Sequence, residues 1–316
     1  MPLSVAAPAK INLSLDITGT RDDGYHLVDT VMQAVSLCDT VTVWESDQPG
    51  ISLELTGAGA DTLPADDTNT AWKAAALFRE AVKKRGMEPA GTGIRIHKRI
   101  PFAAGLAGGS ADAAGVLAAL NRLYGSLLEE EELADLGGRV GADVPFCLLG
   151  GTAQATGIGT ILTPLPDLPD CDIVIAKPAG GVSTAQAYQA VDRAFGCTEE
   201  TETPLHRPRT SVLVDAVCSG SLLQVGRELC NVFEQALRLP ETEMLKREMN
   251  RFHPLGCLMT GSGSAVFALF AHRTDAEKCA EALRLMKALP GGAPAVFLCR
   301  PFRGGPATPA RDPSLG

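Results

Sequence analysis

The chain has 316 residues, 45% hydrophobic and 21% charged, a balance that fits a globular protein with a sizeable core and room for two domains. Its formal net charge of −9 argues against a nucleic-acid partner, which takes a basic footprint, but leaves room for a small anionic ligand in a locally positive cleft. No apolar run approaches the roughly 20 residues of a membrane helix, and Met1 to Lys10 lacks the pattern of a signal peptide, so a cytoplasmic protein without a membrane partner is expected.

In chain order, the first third reads mainly as strands. Ile11, Leu13, Leu15 and Ile17 alternate with Asn12, Ser14 and Asp16, the period of a half-buried strand, which puts Lys10, Asn12 and Ser14 on one face. Arg21-Asp22-Asp23-Gly24 signals a turn, and 28–35, 40–45 and 51–55 are further strand candidates. The stretch 69–85 reads as a helix with Trp72, Ala75, Ala76, Arg79 and Val82 along one side and Gly86 as its stop. A strand over 93–98 leads into a glycine-rich loop. The loop opens a helix with the stripe Ala113, Val116, Leu117, Leu120 and Leu123, and a second helix is expected over 129–140.

Pro164, Pro166 and Pro169 crowd a loop that reads as a boundary region, dividing the chain into domains at 1–160 and 161–300. Beyond it come a strand from Asp172, helices of which 228–252 is the longest candidate, and strands over 256–260 and 265–270. A helix over 275–289, a strand over 294–298 and a loose Pro/Gly-rich tail over 301–316 follow. Strands and helices are partly segregated rather than strictly alternating, so the expected class is α+β. The nine cysteines form no C-x-x-C pair and sit mostly in apolar surroundings, as reduced, buried thiols do.

Four segments carry polar chemistry. Gly105-Leu106-Ala107-Gly108-Gly109-Ser110 stands between a strand and an amphipathic helix. Glycines let a phosphate approach the backbone, and a helix N-terminus supplies free N–H groups and a favourable dipole. The segment has neither the Gly-Lys-Ser/Thr ending of a Walker A loop nor G-x-G-x-x-G, and a tight turn is the alternative reading. Asp112, expected in the first turn of the following helix, either complements the dipole or helps hold a metal beside Ser110. Lys10 beside Asn12 is either a solvated lysine at a strand start or a buried functional cation. Asp143, in Gly141-Ala142-Asp143-Val144-Pro145-Phe146, is either a cap or a carboxylate in need of a partner. Thr260-Gly261-Ser262-Gly263-Ser264 reads as a hairpin-like turn or a backbone anion site.

The order of these segments resembles the GHMP kinases. Pro8-Ala9-Lys10-Ile11-Asn12-Leu13 resembles the family's first motif, Pro101 through Ala114 its phosphate loop, and Met259 through Ser264 its third motif. Gly141-Ala142-Asp143-Val144-Pro145 resembles the segment with the catalytic aspartate. Arg21-Asp22-Asp23-Gly24-Tyr25-His26 resembles the segment of members acting on 4-diphosphocytidyl-2-C-methyl-D-erythritol. Five motifs in order, from about Pro8 to Phe270, make the resemblance specific. Ala107 stands where a third consecutive glycine is common, and 198–210 matches no motif.

The resemblance implies a two-domain GHMP kinase fold, with a ribosomal-S5-like N-terminal domain and a ferredoxin-like C-terminal domain. It implies ATP and Mg²⁺ as cofactors and phosphorylation of the 2-hydroxyl of that small-molecule substrate. Lys10 and Asp143 take the catalytic roles it implies. ATP is expected on Pro101, Gly105, Leu106, Ala107, Gly108, Gly109, Ser110 and Ala111, with Ser110 near the metal. Substrate is expected at Asn12, Tyr25, His26, Thr184, Tyr188, Gly261, Ser262 and Gly263, with the two tyrosines sandwiching the pyrimidine. Rival readings are a homoserine- or mevalonate-type kinase and a nucleotide-binding module without catalysis.

Overall fold

A computed structural model describes residues 1–196, 206–286, 289 and 291–306. Two long strands frame its first sheet. β1 (Leu3–Thr20) and β2 (His26–Ser46) pair antiparallel from Leu3 opposite Val43 to Thr20 opposite His26, with bulges at Pro8/Ala9, Asn12/Ser14 and Ile17/Gly19. The strands expected over 28–35 and 40–45 are thus one. Asp39, in the gap between those two ranges, is fully buried within β2 as a partner of Lys98.

β3 (Ile51–Gly57) runs parallel to β4 (Gly91–Lys98), which pairs with β2. β5 (Thr152–Thr156) pairs with β2 and with β6 (Ile161–Leu165). β6 begins at the expected boundary yet belongs to this sheet. The chain also returns to it later, because β8 (Cys230–Asn231) pairs parallel with β1.

Four helices cover this sheet. α1 (Thr70–Lys84) is capped by Asn69, whose side chain accepts the Ala71 N–H, and Gly86 follows its end with φ 75°. Its buried face is Ala71, Ala74, Ala75, Phe78, Ala81 and Val82, so the expected stripe was rotated: Phe78 is the anchor, and Trp72 and Arg79 lie to the side. α2 (Gly108–Leu123) lies close on the sheet, since a Cβ on Gly115 would come within 2.8 Å of Val41 Cγ2. Small residues permit that approach. α3 (Glu130–Val140) starts with a Glu129/Glu132 capping box, and α4 (Val144–Leu149) has proline in its first turn.

The second sheet is antiparallel, in the order β11 (Ala295–Cys299), β7 (Asp172–Lys177), β10 (Val266–Phe270), β9 (Gly256–Met259). One face packs α9 (Pro240–Asn250) and α10 (Arg273–Arg284) through Leu245, Met249, Ala276, Cys279, Ala280 and Leu283. α5 (Thr184–Gly196), α6 (Thr210–Cys218), α7 (Leu222–Arg227) and α8 (Val232–Leu237) complete the described helices.

The single long helix expected over 228–252 is absent. β8 occupies its start, Arg238 turns left-handed at φ 45°, and Pro240 opens α9. Proline has no N–H to extend a preceding helix and clashes with its last turn. Residues 301–306, expected as loose tail, dock on the first sheet: Phe302 N–H donates to Ala34 O at 2.8 Å, and Arg122 reaches Pro306 O at 2.8 Å. Residues 307–316 of that tail, and 197–205 of the unmatched segment, lie outside the described residues. Among the described residues, no helix is long and apolar enough to cross a membrane.

Candidate active site

A cleft of about 550 Å³ opens where β1, the start of α2, the start of α4 and the β9–β10 turn converge. Lys10, Asn12, Pro101, Asp143, Thr184, Tyr188, every residue from Gly105 to Ser110, and Gly261, Ser262 and Gly263 line it. Ala111, Tyr25 and His26 do not. Ala111 is buried, and its N–H closes the first turn of α2 on Ala107 O at 2.8 Å.

The glycine-rich loop ends in a left-handed residue, Ala107 at φ 56°, after which α2 begins at Gly108. The N–H groups of Gly108, Gly109 and Ser110 precede the first intrahelical bond, as the leading amides of a helix do. Gly105 has φ 74°, and a Cβ there would stand 2.1 Å from Thr260 O. Only glycine fits, so the glycine-rich loop and the β9–β10 turn touch backbone to backbone. That turn is hairpin-like, with Thr260 N–H on Ala265 O at 3.0 Å, and it faces the cleft.

Lys10 is 4% exposed, which excludes the solvated reading. Its ammonium donates to Asn12 Oδ1 at 2.8 Å and lies 3.7 Å from Asp143 Oδ2. Asn12 Nδ2 donates to Thr30 Oγ1 at 2.9 Å, and Asn12 N–H donates to Thr260 Oγ1 at 3.0 Å. Lys10 N–H donates to Leu106 O at 3.2 Å, so β1 ties the loop, the turn and the ion pair together. Asp143 occupies the cap position of α4 but makes no capping bond, and its half-exposed carboxylate faces Lys10.

The other end of the cleft is aromatic. Tyr188 stacks on His26, with ring centroids 4.4 Å apart and planes 28° apart, and meets Phe233 edge-on at 4.9 Å. His26 Nε2 lies 2.7 Å from Asp192 Oδ1. Burial, then the Asp143 charge, raises the Tyr188 hydroxyl pKa above that of a free tyrosine. Tyr25 is 62% exposed on the Arg21–Tyr25 turn, so Tyr188 has His26 as its stacking partner rather than Tyr25. Thr184 Oγ1 and Ser262 Oγ lie 3.2 Å apart across the cleft.

Two functional features escaped the sequence. Lys98, 5% exposed at the end of β4, is hydrogen-bonded to both Asp39 and Asp112. Burial pulls the ammonium pKa down, but the two carboxylates outweigh it and leave it above that of a free lysine. Burial raises the Asp112 carboxyl well above the ordinary range, with Lys98 opposing. Asp112 also stands in the second turn of α2, because the helix begins at Gly108, so it is Lys98 and not the leading amides that takes its charge. A lysine at the end of the strand that leads into the glycine-rich loop and an aspartate between apolar strand segments were the available signals. Asn231 also escaped notice. It is 1% exposed and donates to Met259 O at 2.8 Å and Gly261 O at 2.9 Å, holding the turn.

Among the described residues, no three His, Cys, Asp or Glu side chains cluster to cage a metal. The Ser110 hydroxyl lies 4.0 Å from where a Gly141 Cβ would stand, and Ser110 and Asp143 line one cleft. One or two protein oxygens of this kind fit Mg²⁺, which takes its remaining ligands from phosphates and water.

Comparison with known proteins matches the chain to one family. Residues 69–151 match the family model "GHMP kinases N terminal domain" and residues 213–288 match "GHMP kinases C terminal". The chain is 42% identical over 281 residues to a 4-diphosphocytidyl-2-C-methyl-D-erythritol kinase of Caldicellulosiruptor saccharolyticus, covering 88% of this chain and 92% of the relative. It is 44% identical over 304 residues to the protein of that name from Carboxydothermus hydrogenoformans, covering 96% and 98%. A crystal structure of 4-(cytidine 5'-diphospho)-2C-methyl-D-erythritol kinase superposes with TM-score 0.73 at 34% identity, covering 94% of this chain and 99% of that one. Homoserine kinase from Cytophaga hutchinsonii superposes with TM-score 0.74 at 21% identity, covering 97% and 96%, a likeness of fold. The two-domain architecture, the motif order and near-full-length identity to these relatives lead to one conclusion: the chain belongs to the GHMP kinase family.

Proposed function

We propose that the protein transfers the γ-phosphate of ATP to the 2-hydroxyl of 4-diphosphocytidyl-2-C-methyl-D-erythritol, in the non-mevalonate route to isoprenoid precursors. The observation that carries the reading is the Lys10–Asp143 pair at 3.7 Å in the same cleft as the Gly105–Ser110 loop, in a chain 44% identical to a kinase of that name. Phosphoryl transfer depends mostly on positioning and charge neutralisation. The free amides of Gly108, Gly109 and Ser110 and the positive end of α2 hold ATP phosphates. Ser110 and Asp143 would hold Mg²⁺, which would supply charge neutralisation for the phosphate oxygens.

Asp143 accepts the proton of the 2-hydroxyl. The alcohol oxygen bonds to the γ-phosphorus as its bond to the bridging oxygen of ADP breaks. Lys10 favours the ionised carboxylate and stabilises charge on the transferred group. Asn12 orients Lys10, and Gly261 to Gly263 with Thr184 form the opposite wall. The cytosine end is assigned to Tyr188 and His26, and Tyr25, exposed on its turn, stands outside that stack. In the same proposal the first domain ends before β7, and the free thiols of the eight described cysteines fit a reducing cytoplasm.

The test is a coupled ADP-release assay with ATP, Mg²⁺ and the cytidyl compound, run beside homoserine and mevalonate. Turnover with the cytidyl compound alone is the expected result. Turnover with another alcohol overturns the cytidine assignment and keeps the kinase chemistry. ATP binding without turnover on any acceptor points to a binding module.

A further inference from the structure

The amides that face the cleft are set by where α2 begins, and a buried clamp fixes that point. Lys98 closes β4, and the loop leaves from it. Asp39 on β2 holds the exit: its Oδ1 accepts the N–H groups of Arg99 at 2.5 Å and Ile100 at 2.8 Å, and its Oδ2 meets Lys98 Nζ. Asp112 brings α2 onto the same ammonium. A Cβ on Gly108 would stand 3.0 Å from Ile100 Cγ2 and 3.8 Å from Lys98 Nζ, so the first residue of α2 rests directly on the clamp. Thr70 Oγ1 steadies the next residue by donating to Gly109 O at 2.7 Å.

Asp112 is the member of the clamp that the strand exit does not need, because Asp39 alone already holds Lys98, Arg99 and Ile100. Lys98 and Asp39 already make a balanced buried pair. Asp112 adds a second carboxylate at 5% exposure, with one oxygen that has no hydrogen-bond donor. Burying a carboxyl with an unsatisfied oxygen costs stability whether or not it is ionised. Its bond to Lys98 accounts for placement, joining α2 to the strand end on the far side of the loop. Both Lys98 and Asp112 reach the wall of the cleft.

We infer that Lys98 and Asp112 are positioning residues for the nucleotide, clamping the start of α2 so that the Gly108–Ser110 amides converge on one phosphate position. The inference rests on reading the cleft as a nucleotide site and does not depend on which alcohol is the acceptor.

The experiment is titration calorimetry of the full chain with a non-hydrolysable ATP analogue and, separately, with CDP as probe of the acceptor end. Asp112→Leu leaves the balanced Lys98–Asp39 pair and so keeps the fold, which thermal unfolding verifies. It should weaken the analogue by about tenfold or more, since small misplacements of positioning groups are costly, and leave CDP unchanged. Asp112→Asn keeps an acceptor for Lys98 and should restore analogue affinity to within about twofold. An Asp112→Leu protein that binds the analogue like wild type overturns the inference. So does equal weakening of both ligands, which marks a general structural loss, or an Asp112→Asn protein as weak as Asp112→Leu. Failure of the wild type to bind the analogue sinks the nucleotide reading itself.

Discussion

Lys10 Nζ stands 2.8 Å from Asn12 Oδ1 and 3.7 Å from Asp143 Oδ2, so the amide holds the ammonium facing the carboxylate. Asp143→Asn keeps the shape and removes the proposed base. It should lower kcat by roughly 10²–10⁴-fold with little change in either KM. Steady-state kinetics on a variant with an unchanged unfolding midpoint decides this. Near-normal turnover removes Asp143 from the chemistry.

The contact between Gly105 and Thr260 makes a second prediction. Gly105→Ala meets both a 2.1 Å approach to Thr260 O and a φ of 74°. The loop and the β9–β10 turn must separate, so KM for ATP should rise at least tenfold and the protein should melt earlier. Ala107→Gly runs the other way. Ala107 already sits at φ 56°, and glycine there relieves about 1 kcal/mol of left-handed strain. Its Tm should rise slightly, and a clear fall in Tm would show that the Ala107 methyl is needed for packing.

Why these sites were partly legible follows from how each is held. Lys10, Asn12, Asp143 and the loop glycines stood out as polar or glycine-rich breaks in apolar patterns, each with a bland alternative, and the motif order resembling the GHMP kinases implied their roles. The alternation of β1 and the strand–loop–helix pattern also survive folding unchanged. Lys98 and Asn231 were missed because their partners are distant in sequence: Asp39 and Asp112 for one, the carbonyls of Met259 and Gly261 for the other. The helix expected over 228–252 failed for the opposite reason. Its residues favour helix locally, but Pro240 and the pairing of Cys230–Asn231 with β1 override them.

The thiols give a pH prediction. Burial pushes Cys38, Cys171, Cys279 and Cys299 from the ordinary 9.0 to about 12, and Cys230 to about 11. Above pH 9.0 the unfolded chain loses thiol protons that the folded chain keeps, so it binds fewer protons than the native state. Stability therefore falls as pH rises from that value toward the folded pKa values, and these thiols contribute no slope below about pH 8. Melting curves between pH 7 and 10 test the sign. Alkylation at pH 8 should reach exposed Cys218 while sparing buried Cys147, and rapid labelling of folded Cys147 would contradict the burial.

The His26–Asp192 contact at 2.7 Å separates the two ends of the cleft experimentally. An ionised carboxylate only accepts, so Nε2 of His26 donates, and the bond fixes the ring against Tyr188. Removing Asp192 frees the imidazole and loosens the face on which the pyrimidine is proposed to rest. Asp192→Ala should raise KM for the cytidyl substrate by about three- to tenfold, the worth of one lost hydrogen bond, and leave KM for ATP unchanged. Asp192→Asn still accepts from Nε2–H and should lie between that variant and wild type. Tyr188→Ala should cost more, because stacking is worth about 1–3 kcal/mol per base. An unchanged KM for the cytidyl substrate in both Asp192→Ala and Tyr188→Ala would remove the pyrimidine from this end of the cleft, while leaving the Lys10–Asp143 chemistry at the other end intact.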